Sequence, residues 1–535
     1  MKELAGKLKK YNDIKPSYVG GAVLIVYAVL LIIIACFHEP WYDEAQAWQV
    51  ARGASYYEIL FSLPHYESHP PLWHLILSVP AKLGLPYEAS IKTINIIFCL
   101  LGIFLLEFKS CFTNWMKTFL PFTFFIFYQF GVISRPYSMM LFALLLCAMF
   151  FKDKNDKPIR LILSLMFLCL TSDYGVAIAG GITVAWLIDI IIDKKKGFLQ
   201  DLFCGNLPRL IGFAALLLLA VIIALEVWPA SDVSVILDTP LWYKFYMILL
   251  VAPAEAFMTN CLSGENLGAT VTDIAGVILT AAISISFWLF GIFESYRRRA
   301  LHHFLLPLLF FALIGAFYST PHHYGIYVML FIYEFWVLRD EPVILATDTK
   351  LHDLSYRPWV RIVLRSVVAL ACAVSCYWTL MASLNELIYP FYYSRDVARW
   401  IRENTKDEDV VMASWYPIYT ADDTGDKVLS GVNYKIVADF SVPIEPYFDH
   451  DIIDNQVLPY QYLGSLSDEF KNGYFEKTKS MLPADYILTY NTEYIPGFLE
   501  ALGSDEEYEL IEVFYNYRIY KDKVIPFNVM MFKRK

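Results

Sequence analysis

Two adjacent carboxylates, Asp43 and Glu44, stand in the stretch Phe37-His38-Glu39-Pro40-Trp41-Tyr42-Asp43-Glu44-Ala45-Gln46-Ala47-Trp48, directly after the first long apolar run. A second polar cluster follows: His65, Glu67 and His69-Pro70-Pro71-Leu72-Trp73-His74. A carboxylate held among aromatics at the edge of an apolar run suits general-base activation of a hydroxyl or amine, worth about 10²–10⁴-fold in rate. Nearby cations suit a phosphate or phosphodiester, whose leaving charge they would stabilise. Lys92, Arg135, His69 and the pair His322-His323 are the residues of that kind. A cavity beside a bilayer suits a substrate with a lipid tail. These residue types together fit transfer from a lipid-phosphate-linked donor to an acceptor outside the membrane.

Each residue has a second, purely structural reading. Glu44 and Asp43 would both serve as first-turn acids of a helix beginning after Pro40. His65 and His74 read as interface or packing histidines. His69 precedes Pro-Pro, an extended setting that fixes where its ring points. Arg135 could snorkel to headgroups, His322-His323 could be interfacial, and Asp173 could be a turn residue. Asp43, Glu67 and His69 are the oxygen and nitrogen donors that would hold a divalent metal ion if one is used. No His-x-x-x-His or cysteine-pair spacing demands one, so no cofactor is assigned.

The elements that must position these groups are read from hydropathy and charge. The chain has 535 residues, 57% hydrophobic and 17% aromatic, with a mean hydropathy of +0.45. Apolar runs predict eleven spans, near 18–37, 90–108, 118–132, 135–151, 161–174, 176–192, 210–228, 270–293, 303–319, 322–338 and 360–381. The first is long enough to span and is followed by no small-residue cleavage site, so it reads as retained. With the N-terminus inside, 23 of the 28 basic residues before position 390 fall on the cytoplasmic side, as the positive-inside rule requires. The runs Lys194–Lys196 and Arg297–Arg299 read as topology signals. Residues 72–85 and 241–253 are apolar enough to be spans, but counting either alone would reverse every later loop. Both are therefore expected along the outer interface, as amphipathic or re-entrant helices.

Eleven spans put the C-terminal segment outside. Residues 390–535 hold 25 acidic and 15 basic residues, the whole of the net charge of −10, and this acidic excess argues against a nucleic-acid partner. All nine cysteines lie between Cys36 and Cys376, so that segment must fold without disulfides. Its pattern predicts a small α/β domain: a helix over 394–404 capped by Ser394, a strand at 409–413, a helix over 465–481, a strand at 485–489, and a hairpin of 508–515 with 517–520 closed by Asn516. The expected organisation is thus a polytopic membrane domain over 1–385, with a first outer loop at 38–89, and an extracytoplasmic α/β domain over 386–535. This topology gathers Asp43, Glu44, Glu67, His69, Lys92, Arg135, Tyr137, Asp173, Tyr174, Glu255, His322 and His323 on the outer face. Charges at membrane depth are costly, so the shared address is informative.

The order Trp41-Tyr42-Asp43-Glu44-Ala45 after the first span, then His69-Pro70-Pro71-Leu72, resembles the GT-C membrane glycosyltransferases. The branch it resembles is that of the dolichyl-phosphate-mannose protein mannosyltransferases and aminoarabinose transferases. Ser134-Arg135-Pro136-Tyr137 resembles their next outer-loop motif. The likeness covers roughly 18–340 in organisation, with its motifs between about 38 and 140. It implies a polyprenyl-phosphate-linked sugar donor and inversion at the anomeric carbon. It maps the catalytic base onto Asp43, with Glu44 as its neighbour, and places His69 in the element lining the donor site. Lys92 and Arg135 become phosphate contacts. Where relatives carry an acid near the Arg135 motif this chain has Pro136-Tyr137. The implied protein is a multi-pass enzyme of a bacterial plasma membrane, surrounded by lipid, with a glycan, lipid or protein acceptor handled by the C-terminal domain.

A competing reading is a lipid or glycolipid transporter with an ectodomain. Transporters use charges in mid-span and broken or repeated helices, whereas this chain puts its charges at one face and shows no inverted halves. A membrane-anchored sensor would have little use for eleven spans. No Walker loop and no Gly-x-Gly-x-x-Gly opens a helix, which argues against a cytosolic nucleotide as donor or energy source.

Overall fold

The computed structural model describes residues 10–67, 69–194, 206–230, 240–260, 271–340, 358–421, 427–433, 435–456 and 468–535. The structure is mostly helical. Its principal helices are α1 (Pro16–Phe37), α2 (Tyr42–Gly53), α3 (Leu72–Lys82), α4 (Tyr87–Phe108), α5 (Tyr137–Phe151), α6 (Pro158–Cys169), α7 (Asp173–Lys194), α8 (Leu207–Glu226), α9 (Val271–Tyr296), α10 (Leu301–Phe317), α11 (Ile326–Asp340), α12 (Pro358–Ile388), α13 (Ser394–Asn404), α14 (Lys435–Ile444), α15 (Asp468–Ser480) and α16 (Tyr494–Leu502). The strands are β1 (Val411–Ala413), β2 (Tyr416–Ala421), β3 (Lys427–Asn433), β4 (Tyr486–Thr489), β5 (Tyr508–Tyr520) and β6 (Lys523–Arg534).

Among the described residues six helices are long and apolar enough to cross a membrane: α1, α4, α7, α8, α9 and α12. Three shorter apolar helices, α5, α6 and α10, accompany them. The protein is a multi-pass membrane protein. The predicted span at 118–132 is not one helix. It is a short helix (Asn114–Phe119), a 3-10 turn (Leu120–Phe122) and a π-helical stretch (Phe125–Val132). Pro121, which has no N–H to donate, sits in the 3-10 turn, and Thr123 then goes extended at ψ 149°. The segment at 241–253 is helical throughout and continues to Phe257, with Leu241–Tyr246 and Ala252–Phe257 joined by a π-turn at Met247–Val251. α3 is a single amphipathic helix with Trp73, His74, Leu77, Ser78 and Ala81 buried and Val79 exposed. Its 11 residues reach about 16 Å, half of what a bilayer core needs.

The chain divides into two compact units. The helical unit comprises Met1–Ile33, Ile94–Glu226 and Ile236–Ser383. Aromatic packing fills its core: Tyr27 meets Phe127 edge-on at 5.3 Å, and Phe257 stacks on Phe287 at 4.4 Å. α7 and α10 come close because Gly181 opposes Pro307. A Cβ on Gly181 would lie 2.6 Å from Pro307 Cα and 2.7 Å from the Leu306 carbonyl oxygen. Backbone cannot yield as a side chain can, so Gly181→Ala should force the two helices apart. The expected cost is about 1–3 kcal/mol, read as a lowered melting temperature in detergent. An unchanged melting temperature would show the contact to be loose.

The mixed unit comprises Ile34–Thr93, Val227–Val235 and Leu384–Lys535. The loop after the first span thus clusters with the C-terminal segment. Its main sheet has the order β1-β4-β6-β5, with β1 and β4 parallel and the other pairs antiparallel. β2 and β3 form a separate antiparallel pair. β1 is fastened beyond the sheet: Asp454 accepts the Val411 N–H at 2.8 Å, and the Asn455 amide exchanges two bonds with Ala413 at 2.9 Å each.

Several expectations need correction here. Asn516 does not close a hairpin. β5 runs unbroken from Tyr508 to Tyr520, and Asn516 pairs with Phe527 in mid-strand. The turn is Lys521-Asp522, with Lys521 at φ 57°. Ser394 does not cap α13. Tyr393 holds the cap position, and the Ser394 hydroxyl donates to Glu39 at 3.2 Å instead. The helix itself is where it was expected: Val397 and Ile401 are buried, and Trp400 meets Tyr486 edge-on at 5.6 Å. The first residues of the helix predicted at 465–481 lie outside the described residues.

Candidate active site

The chain leaves α1 at Phe37, turns through His38-Glu39-Pro40-Trp41 and starts α2 at Tyr42. Trp41 is the N-cap and Glu44 the third helical residue. Glu44 Oε2 accepts the Trp41 N–H at 3.1 Å, which satisfies one of the helix's orphan donors. The same oxygen lies 3.0 Å from His38 Nε2, while His38 Nδ1 lies 3.0 Å from Glu386 Oε1. His38 and Glu44 are fully buried. Of the two readings of Glu44, the geometry supports the cap.

Burial alone would lower the pKa of His38, but the Glu44 and Glu386 carboxylates outweigh it and push it up to about 9. His38 is therefore an imidazolium between two carboxylates at neutral pH. A raised pKa contributes stability that is complete below the unfolded value near 6.5 and is lost as pH climbs through about 9. The contribution is roughly 3 kcal/mol. Glu39 acts in the same direction: burial raises it to about 8 against the Arg395 N–H and charge, so its contribution is lost as pH rises from about 4.5 to about 8. The melting temperature should fall steadily between pH 6.5 and 9.5. A flat profile over that window would contradict this arrangement.

Asp43 is sorted differently. It occupies the first turn of α2, half-buried. Its charge reaches Tyr392, a phenol raised first by burial and further by Asp439 and Asp43. Around Tyr392 stand Tyr393, whose hydroxyl donates to the Asp439 carbonyl, and Tyr490, 3.2 Å from the Tyr393 hydroxyl. Burial pushes Asp439 up to about 6 while Arg518 pulls it down. The sequence reading missed Tyr392, Asp439 and Arg518. A lone acid in the apolar run Lys435–Ile444 was the signal available for Asp439.

A second network holds the approach to α2. Glu88 accepts Lys92 Nζ at 2.5 Å, Arg395 at 3.0 and 2.7 Å, and the Tyr447 hydroxyl at 2.7 Å. Lys92 also donates to the His38 carbonyl at 2.6 Å, as does Arg395 at 3.2 Å, and the Arg395 N–H donates to Glu39. Lys92 therefore has a structural use beside the phosphate contact that the resemblance implies. On the far side, Glu67 accepts Gln46 Nε2 at 2.9 Å and lies 3.0 Å from His74 Nε2, which ties α2 to α3. Both Glu67 oxygens are thus engaged within the protein, and no catalytic step is routed through a metal on Asp43, Glu67 and His69. His69 is half-buried just before α3, and His65 Nδ1 lies 2.7 Å from the Trp228 carbonyl. From the C-terminal segment, Val442 O accepts Gln49 at 2.8 Å and Phe448 O accepts Arg52 at 2.7 Å.

The remaining predicted residues belong to the helical unit, where several come together. Tyr174 donates to the Tyr318 carbonyl at 2.6 Å and lies 3.3 Å from His323 Nδ1. Tyr137 meets the His323 ring edge-on at 5.8 Å. His322 Nδ1 lies 2.9 Å from Thr320 Oγ1. Asp173 accepts the Ser172 hydroxyl and the Tyr174 N–H at 2.8 Å each, a turn role at the start of α7. Glu255 is buried and accepts Thr259 Oγ1 at 2.8 Å. Arg135 is half-buried in the link before α5, which Asn95 fastens through bonds to the Phe130, Gly131 and Ile133 carbonyls.

This multi-pass helical arrangement, with an acid-bearing helix directly after the first span, is a GT-C fold. No protein-family model matches the chain, and no curated protein matches it in sequence. The likeness is structural. ArnT from Cupriavidus metallidurans in the apo state aligns with a TM-score of 0.50 at 13% identity, over 96% of this chain and 98% of that one. ArnT bound to undecaprenyl phosphate aligns at 0.47 with 13% identity, over 95% and 97%. The mycobacterial arabinofuranosyltransferase AftD aligns at 0.38 with 12% identity, over 95% of this chain and 39% of that one. The apo ArnT comparison establishes the shared fold.

Proposed function

We propose that this protein is an inverting glycosyltransferase that moves a sugar from a polyprenyl-phosphate donor to a hydroxyl or amine acceptor at the outer face of the membrane. One observation carries the reading: the acid pair is divided, with Glu44 locked by His38 and the helix cap, and Asp43 half-buried in a first turn beside Tyr392. The GT-C fold and the motifs around Asp43, His69 and Arg135 support it; fold alone would not, since folds host many chemistries.

In this scheme the Asp43 carboxylate takes the proton of the acceptor. The acceptor oxygen or nitrogen attacks the anomeric carbon opposite the phosphate. The bond from carbon to phosphate oxygen breaks and its electron pair leaves with the polyprenyl phosphate, so the anomeric configuration inverts. Arg135, His69, His322 and His323 are the proposed phosphate and donor contacts, with Lys92 as a further one beside its Glu88 bond. The apolar spans suit a donor whose tail stays in lipid. Residues 386–535 are proposed to lie outside the cell with the N-terminus inside, and to handle the acceptor.

The test is to supply purified protein with radiolabelled polyprenyl-phosphate sugars and cell-envelope acceptors. Label should pass to an acceptor with inverted linkage. Movement of intact lipid across vesicles without transfer to any acceptor would make the protein a transporter instead.

A further inference from the structure

A group of ligand-type side chains that plays no part in the scheme above converges in the helical unit. Asp189 comes from the last turns of α7, and His302 and His303 from the first turn of α10. His302 Nε2 lies 2.7 Å from Asp189 Oδ1, and His303 Nε2 lies 3.0 Å from each carboxylate oxygen. The three ligand atoms are all within 4.8 Å of one another. His303 is buried, while His302 and Asp189 are half-buried. The His303 ring is fixed edge-on against Phe151 at 5.0 Å, and the two imidazoles lie 4.2 Å apart. Lys154 Nζ is the fourth neighbour, 3.2 Å from Asp189 Oδ2 and 4.1 Å from the Phe151 ring centre.

We propose that Asp189, His302 and His303 form a binding site for a zinc-class divalent ion. Two neutral imidazole nitrogens and one carboxylate are a donor set that zinc takes, with a fourth position left for water. Ligand atoms on a tetrahedral zinc stand about 3.3 Å apart, from bond lengths of about 2.0–2.1 Å, so the imidazole-to-carboxylate distances of 2.7 and 3.0 Å would open by only a few tenths of an ångström. An ion pair with Lys154 would already satisfy Asp189. Aiming two adjacent histidines by the same nitrogen at that one carboxylate is surplus to such a pair, and natural to a metal. A bound ion would tie the end of α7 to the start of α10. Those helices already pack backbone to backbone at Gly181 and Pro307, so the tie would lock an existing contact. The proposal does not rest on glycosyl transfer.

Lys154 separates the two explanations. Its ammonium competes with a cation for Asp189. Lys154→Met should therefore tighten metal binding if the site is real, whereas in a bare ion-pair cluster it would confer no binding at all. Tag-free, full-length protein in detergent is stripped with chelator, re-equilibrated with zinc and assayed for bound metal, with affinity measured by competition. The expected result is one equivalent per chain in the wild type. Losing a partner one shell out from a metal commonly costs about 10–100-fold in affinity, so His302→Ala, which removes a ligand, should cost at least about 100-fold. His302 is the readable variant because it is the more exposed histidine; Asp189→Asn serves as a second if it folds. No stoichiometric zinc in the wild type, unchanged binding in His302→Ala, or weaker binding in Lys154→Met would each overturn the proposal.

Discussion

His38→Ala should destabilise the protein by about 3–5 kcal/mol, the range for removing one partner of a buried ionic group. His38 is fully buried between Glu44 and Glu386, with 3.0 Å contacts to each. Without the imidazolium, the buried Glu44 and Glu386 carboxylates lose the cation that lies between them. The loss should depend on pH in a way that identifies its cause. The His38 contribution is complete below about pH 6.5 and is lost as pH climbs through about 9, so the deficit against wild type should be largest near pH 6 and shrink towards pH 9.5. Thermal unfolding of both proteins across that range is the measurement. A deficit independent of pH would point to lost packing against Phe391, whose ring lies 4.7 Å from that of His38, in place of lost charge compensation.

Asp43→Asn should reduce sugar transfer by about 10²–10⁴-fold, the usual contribution of a positioned general base, with little change in melting temperature. The amide has the same shape but cannot accept the proton. Glu44→Gln should behave in the opposite way. The Gln oxygen can still accept the Trp41 N–H, so α2 should start in the same place, but the charge that holds His38 is gone. Stability should fall while transfer persists in the folded fraction. The pair of variants thus separates chemistry from support at two neighbouring carboxylates, a distinction that a single knockout cannot make.

How much of this was legible in the sequence depends on how local the cause was. The apolar runs that became α1, α4, α7, α8, α9 and α12 carry their own signal, as does the amphipathic period of α3. Glu44 as a cap was one of two local readings, and its choice needed only the residues from His38 to Glu44. The break at Pro121 was also local and was overlooked because the run on both sides is apolar. No strand was expected where β6 runs; its Pro526 is tolerated opposite Tyr517, whose own N–H donates to the Pro390 carbonyl and not across the ladder. Asn516 misled for the converse reason, since a turn-favouring residue can sit in mid-strand when its neighbours pair. The Glu88–Arg395 bridge joins residues 307 positions apart, and Asp189 meets His302 across 113. No periodicity reports such a meeting. The setting of Asp43 was equally hidden, because Tyr392 arrives from the other end of the chain.

The central claim is that Asp43 does the chemistry. Its most direct test is the initial rate of sugar transfer from a polyprenyl-phosphate donor by wild type and Asp43→Asn, at matched concentrations of folded protein. The account predicts a rate at least about 100-fold lower in the variant with the melting temperature preserved; an undiminished rate would contradict it.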